Sequence, residues 1–326
     1  MKQAASAAGA ATGGRPWYRR LTEPGVLVWL ILGVLLVFCV IASPLFFGVE
    51  NLRNVFMIQP IGLGLASLGQ AVVVISGGID LSVGSVLSLL SSLAAGLYRV
   101  NQGIPPVLMA LVLVALGAAA GSINGLLVVG LRVPPFMATF ATMSLFQGAV
   151  LFYAPRTIGG IPASYRFISD GTILGIPFGI LLFLAVLAAC TYLMKRNRLG
   201  RHIYAVGADP FVSQISGIPV RRVRFLAYLV CGALVGIAAT YMTSRFGGGG
   251  PKVGTGYELD SITAVVIGGV SLAGGVGSLL GTFAGVLIIQ VFYNIMNLLS
   301  VNSYLQIVLK GLVLIIAVSF YAKRRV

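Results

Sequence analysis

Residues 77–85 read GGIDLSVGS and set one aspartate between two long apolar runs, 54–76 and 81–97. A carboxylate in such surroundings costs several kcal/mol unless it meets water, a partner or broken backbone, so Asp80 is a candidate functional residue. Gly77 and Gly78 tolerate the backbone that ends a helix, Asp80 suits the cap of the next one, and Ser82 and Ser85 offer short-range hydrogen bonds. Two readings stand: a tight cytoplasmic turn with an Asp N-cap, or a residue of a transport path. A second charged group is spread over two later apolar segments. Glu258 and Asp260 sit at the rim of one, and Lys310 lies about two turns into the other, so an ion pair is expected, with snorkelling of the lysine as the alternative.

The elements that must position these residues are membrane spans. The chain has 326 residues, 58% hydrophobic and 9% charged, with a mean hydropathy of +1.01, against roughly 25% charged residues in soluble domains. This composition predicts an all-α polytopic membrane protein. Apolar windows long enough for a span, about 20 residues, recur at 26–47, 54–76, 81–98, 106–130, 135–154, 176–194, 224–244, 259–273, 278–299 and 304–321. That makes about ten transmembrane helices. The eighth is short and ends in Gly268, Gly269, Gly274 and Gly275, the pattern of a half-helix or re-entrant segment, so the count runs from nine to eleven.

Ten spans put both termini on one side. With that side cytoplasmic, fifteen Lys and Arg fall on inner segments and six on outer ones, as the positive-inside rule requires. The net charge of +15 is therefore mostly loop bias, and a nucleic-acid partner is excluded. Residues 1–24 read as a cytoplasmic tail and 25–326 as one transmembrane permease domain. The first apolar run is too long for a signal-peptide core and reads as a retained anchor. Cys39, Cys190 and Cys231 lie in separate spans with no metal or disulfide spacing, and the single histidine, His202, lies in a basic loop and carries no assigned role. Glycine rows 117/121/125, 277/281/285 and 232/236 make flat helix faces for close packing, within one chain or between two. Ser122, Asn124, Asn294 and Asn297 read as interhelical glue, with substrate contact the alternative.

The inner loop 195–224 contains GADPFVSQISGIP, residues 207–219. Gly207 leads into Asp209 as N-cap and Pro210 at the first helical position, while Gly217 and Pro219 stop the helix after about two turns. Phe211, Ile215 and Ile218 then form an apolar stripe on the water side. So short a helix needs something to dock on, either the chain's own inner surface or a soluble partner, and the flanking basic residues favour the partner. The chain has no phosphate-binding loop of its own: GGGGPK at 247–252 places Pro251 before the lysine with no Ser or Thr after it. A docking helix without an engine fits a channel subunit driven by a separate ATPase better than it fits an ion-coupled secondary carrier, which would have to run on Asp80, Glu258, Asp260 and Lys310.

Four motifs, VVVISGGIDLSVGS (72–85), SINGLLVVGLRVPPFMATFATM (122–143), NRLGRHIYAVGADPFVSQISGI (197–218) and ELDSITAVVIGGVSLAGGVGSLLGT (258–282), resemble the ribose-type permeases of bacterial ABC sugar importers. The likeness runs in order from about residue 52 to the basic end. It implies the inner membrane and a path formed with a second permease copy or paralogue. It also implies an ABC ATPase subunit that binds ATP-Mg and docks on residues 209–217 as a coupling helix, and a periplasmic sugar-binding protein. No cofactor or metal is expected on this chain itself. The cargo expected is a monosaccharide or related polyol, with a nucleoside or branched-chain amino acid as the alternative within the same mechanism. The outer loop 154–176, with Arg156, Arg166 and Asp170, is expected to meet the binding protein. Residues 74–87 and 265–280 look alike, but their positions do not suit an inverted five-helix repeat.

Overall fold

The computed structural model describes residues 24–323, so most of the tail expected at 1–24, and Arg324 and Arg325, lie outside the described residues. Helix α1 (Pro24–Ala42) is followed by a 3-10 turn (Pro44–Phe47) and α2 (Val49–Ile75), which contains a π turn at Asn54–Ile58. Then come α3 (Val83–Val100), α4 (Pro106–Val129), α5 (Pro135–Tyr153), α6 (Ala163–Asp170) and α7 (Phe178–Arg196). The remainder is α8 (Arg198–Ala208), α9 (Pro210–Ile215), α10 (Val220–Phe246), α11 (Tyr257–Ile267), α12 (Leu279–Leu298) and α13 (Ser303–Lys323). Both α4 and α5 begin on a Pro-Pro pair, where the missing N–H of the first helical residue has no partner to lose.

Helix lies in each apolar window, yet among the described residues seven helices are long and apolar enough to cross a membrane: α2, α3, α4, α5, α7, α10 and α12. The segment expected as an eighth span is α11, whose 11 residues reach only about 16 Å at 1.5 Å per residue. Gly268 and Gly269 end it halfway.

Helix α2 is enclosed almost all round and forms the centre, with α10, α11 and α12 packed about it, while α4, α5 and α7 turn most of their apolar surface outward. The glycine rows act within the chain. Gly117 and Gly121 lie against the backbone of Gly232 and Tyr228, so α4 and α10 touch main chain to main chain, and Gly281 and Gly285 press on Gly268 and Ala264 to seat α12 on α11. Asn51 and Asn294 exchange reciprocal amide hydrogen bonds (3.0 and 2.7 Å) between α2 and α12, the interhelical role expected of Asn294.

The segment between α5 and α7 is ordered by small elements. Strand β1 (Ile158–Gly159) pairs antiparallel with β4 (Gly248–Gly249), β2 (Thr172–Ile173) and β3 (Ile176–Pro177) form a hairpin, and Tyr165 and Ile168 of α6 are buried. Arg166 and Asp170 pair with each other at 3.3 Å, which neutralises two of the three charges expected to face a partner.

Candidate functional site

Two helices fill the inner loop where one was expected. Asp209 caps α9: its Oδ1 accepts from the N–H groups of Phe211 (2.8 Å) and Val212 (3.0 Å), and Pro210 takes the first helical position. Gly217, at φ 80°, closes the end while Ile218 N–H reaches back to the Ser213 carbonyl. Phe211 is 71% exposed and Ile215 69%, and Val212 is exposed beside them. Ile218, expected in this stripe, instead packs inward on the core, so the outward face is Phe211, Val212 and Ile215.

The second helix, α8, escaped the sequence reading. Its signal is local: Asn197 accepts from Leu199 N–H as N-cap (3.1 Å), and Ile203 and Val206 bury one face. It anchors α9 to the spans. Tyr204 donates to the Gly277 carbonyl at 2.9 Å, and burial pushes that phenol above its ordinary pKa. Gly207 faces the hydrogen bond from Gly275 N–H to the Ile75 carbonyl (2.9 Å), and a Cβ there would collide with both groups.

Asp80 is 2% exposed and sits inside a closed polar cluster. Its Oδ1 accepts from the N–H (2.9 Å) and hydroxyl (2.7 Å) of Ser82, and both carboxylate oxygens accept from Asn124 Nδ2 (3.2 and 3.1 Å). Thr142 donates to Asn124 Oδ1 at 2.6 Å. Gln70, oriented to donate to the Asp80 carbonyl at 3.0 Å and accept from its N–H at 3.3 Å, ties the break to α2. Thr139 and Tyr228 donate to the Ile79 carbonyl. The cluster thus joins α2, α3, α4, α5 and α10 around one broken strand of backbone.

The charges at the far end separate. Asp260 takes Lys310 at 2.5 Å, with the two side chains 13% and 19% exposed, and also accepts from the Tyr293 hydroxyl at 2.8 Å, so α11, α12 and α13 meet at one ion pair. Glu258, the other candidate for that pairing, turns away. It accepts from Gly256 N–H (3.3 Å) and lies against Gly84 on the wall of a half-open cavity of about 530 Å³, which Ser85, Ser144, Gln147 and Thr255 also line. Among the described residues no group of His, Cys, Asp and Glu is placed to hold a metal ion.

The sequence signature described as a branched-chain amino acid transport system permease component matches residues 51–318. The chain belongs to this permease family. It is 37% identical over 305 residues to the ribose import permease protein of Haemophilus influenzae, covering 92% of this chain and 93% of that protein. To the ribose import permease protein of Bacillus subtilis it is 40% identical over 299 residues, covering 91% and 92%. To an autoinducer 2 import system permease protein of Enterobacter it is 36% identical, covering 87% and 83%. No solved structure gives a significant match. The likeness to ribose-type permeases of ABC importers that the four motifs carry thus holds over nearly the whole chain, and the permease is a multi-pass protein of the bacterial inner membrane.

Proposed function

We propose that this permease forms the membrane path of an ATP-driven importer for a monosaccharide or related polyol. The observation that carries the reading is the capped α9 with Phe211, Val212 and Ile215 turned outward. A two-turn helix with an apolar face is not stable in water by itself and fits a cleft on another protein, here an ABC ATPase that binds ATP-Mg. A periplasmic binding protein delivers the cargo, a second copy or paralogue completes the path, and about ten crossings leave both termini cytoplasmic. The domain is 25–326, with 195–224 as the coupling loop.

Ribose, for which two of the relatives are named, is a polyhydroxylated sugar, and the cavity beside Glu258 suits that chemistry. It offers hydroxyls, an amide and one carboxylate, all able to bond sugar hydroxyls. Among the described residues no basic side chain lines it to match the carboxylate of an amino acid. In this reading Glu258 faces cargo, Asp80, Ser82 and Asn124 position the helices that form the wall, and Asp260 with Lys310 fixes the outer end of α11.

The test is uptake of labelled ribose into proteoliposomes holding the permease with its ATPase and binding protein. Uptake is expected to require ATP and to persist when ionophores collapse the ion gradients. Replacing Phe211 and Ile215 together by Asp is expected to leave the protein folded but cut ATPase co-purification and uptake at least ten-fold, about 1.4 kcal/mol per ten-fold, since buried charges would face an apolar cleft. Normal ATPase recovery in that variant, or uptake driven by a gradient without ATP, defeats the reading.

A further inference from the structure

At the end of the bundle that carries α8 and α9, the C-terminus of α4, the start of α5 and the start of α10 enclose a second cavity of about 270 Å³. Three arginines line it, Arg132, Arg221 and Arg224, together with Val128, Val133 and Pro134. Among the described residues none of the three has a carboxylate within ion-pair distance, since the two ion pairs found there are Arg166–Asp170 and Lys310–Asp260. Arg224 Nε is buried with no hydrogen-bond partner. A buried guanidinium N–H left unpaired is costly, which points to a group that completes it.

The backbone gives an independent sign. Arg132 stands at φ 58°, in the left-handed region, just where Leu131 and Val133 N–H bond back to Leu126 and Leu127 to close α4. Glycine or asparagine is the ordinary occupant of that position. A long cationic side chain is kept there against a backbone preference, and such strain collects at functional sites.

We infer that this cavity binds the phosphate headgroup of an anionic phospholipid. Three cations with no acid between them match a phosphodiester, and Arg can clamp it with two parallel hydrogen bonds. The cavity lies where the apolar outer faces of two spans begin: Leu126 and Leu131 are exposed on one side of Arg132 in the chain, and Phe136, Met137 and Phe140 on the other. That surface takes acyl chains while the headgroup sits among the arginines, the arrangement expected of basic pockets between spans on the cytoplasmic side. A flat acidic protein surface reaches exposed cations such as Arg221 but not the buried Nε of Arg224, which favours a small headgroup.

The test uses the purified permease complex exchanged into vesicles of equal phosphatidylglycerol and phosphatidylcholine, with co-purified lipid quantified by mass spectrometry. The wild type is expected to retain phosphatidylglycerol in preference. Arg132→Gly, which suits the backbone, and Arg221→Gln should each lower that preference about five-fold, with no fall in melting temperature for Arg132→Gly. Arg222→Gln, a neighbouring arginine outside the cavity, should leave it unchanged. Equal retention of both lipids by the wild type, or equal loss with Arg222→Gln, overturns the proposal. Full displacement of lipid by millimolar inorganic phosphate would show a free-anion site instead. Loss of ATPase recovery in Arg132→Gly with lipid retention intact would show an acidic protein partner, and either result also overturns it.

Discussion

The breaks after α2 and after α11 share one backbone and differ in everything around it. In the first, Ser76, Gly77 and Gly78 N–H groups bond to the carbonyls of Val72, Val74 and Val73, with Gly77 at φ 84°. In the second, Gly268, Gly269 and Val270 bond to Ala264, Val266 and Val265, with Gly269 at φ 88°. The same helix-ending hydrogen bonds recur with the left-handed glycine in the same place. After that turn they part. The first break holds Asp80 in a cluster that joins five helices, while the second contains no charged residue from 268 to 278 and leans on main-chain and tyrosine contacts to α2 and α8. The likeness between 74–87 and 265–280 is thus a likeness of turn, and the chemistry at each break is set by the helices packed against it.

The largest effect expected is on the polar side of this comparison. Asp80→Leu orphans the Ser82 and Asn124 donors in a buried site and should cost on the order of 3 kcal/mol, with folded protein in detergent falling accordingly. Asp80→Asn still accepts from Ser82 but brings an amide against Asn124, and about 1 kcal/mol is expected. Equal melting temperatures for the two variants would mean that the carboxylate does not organise the break.

An intermediate effect belongs to the place where the breaks touch. Gly207→Ala drives a methyl group into the Gly275–Ile75 hydrogen bond and should cost about 1 to 3 kcal/mol, with hydrogen exchange rising at both breaks. Exchange rising at only one would separate them.

The smallest effects sharpen the shared turn. Gly77→Ala and Gly269→Ala each force alanine into the left-handed region and should cost about 1 kcal/mol apiece. Thermal unfolding of the pair decides the matter: a cost confined to one of them would show that the turns are not equivalent.

What the sequence disclosed follows from how local each signal is. The helix α9 was legible because Asp209, Pro210 and Gly217 cap it within nine residues. The halting of α11 was legible in Gly268 and Gly269. The ten windows found helix, but length in sequence did not separate α11 from the seven described helices long enough to cross, since apolar residues continue past its glycines. Helix α8 was hidden by its arginines and histidine, which read as a polar loop although Asn197, Ile203 and Val206 carry the pattern. That Asp80 faces Asn124, 44 residues away, and that Asp260 rather than Glu258 takes Lys310, depends on which helices pack together, and no spacing along the chain states that.

The glycine of α8 that rests on the bond between the two breaks has a mechanical meaning. No side chain cushions that contact, so main chain bears directly on main chain at Ile75 and Gly275. Whatever pushes on Phe211 and Ile215 therefore acts through a short stiff strut, and close-packed interiors pass such strain on with little loss. A shift of α8 of even an ångström has to be shared at once by the end of the central helix and by the loop behind α11. One thrust on Phe211 and Ile215 would thus load both interruptions together, as a single wedge opens two leaves of a hinge.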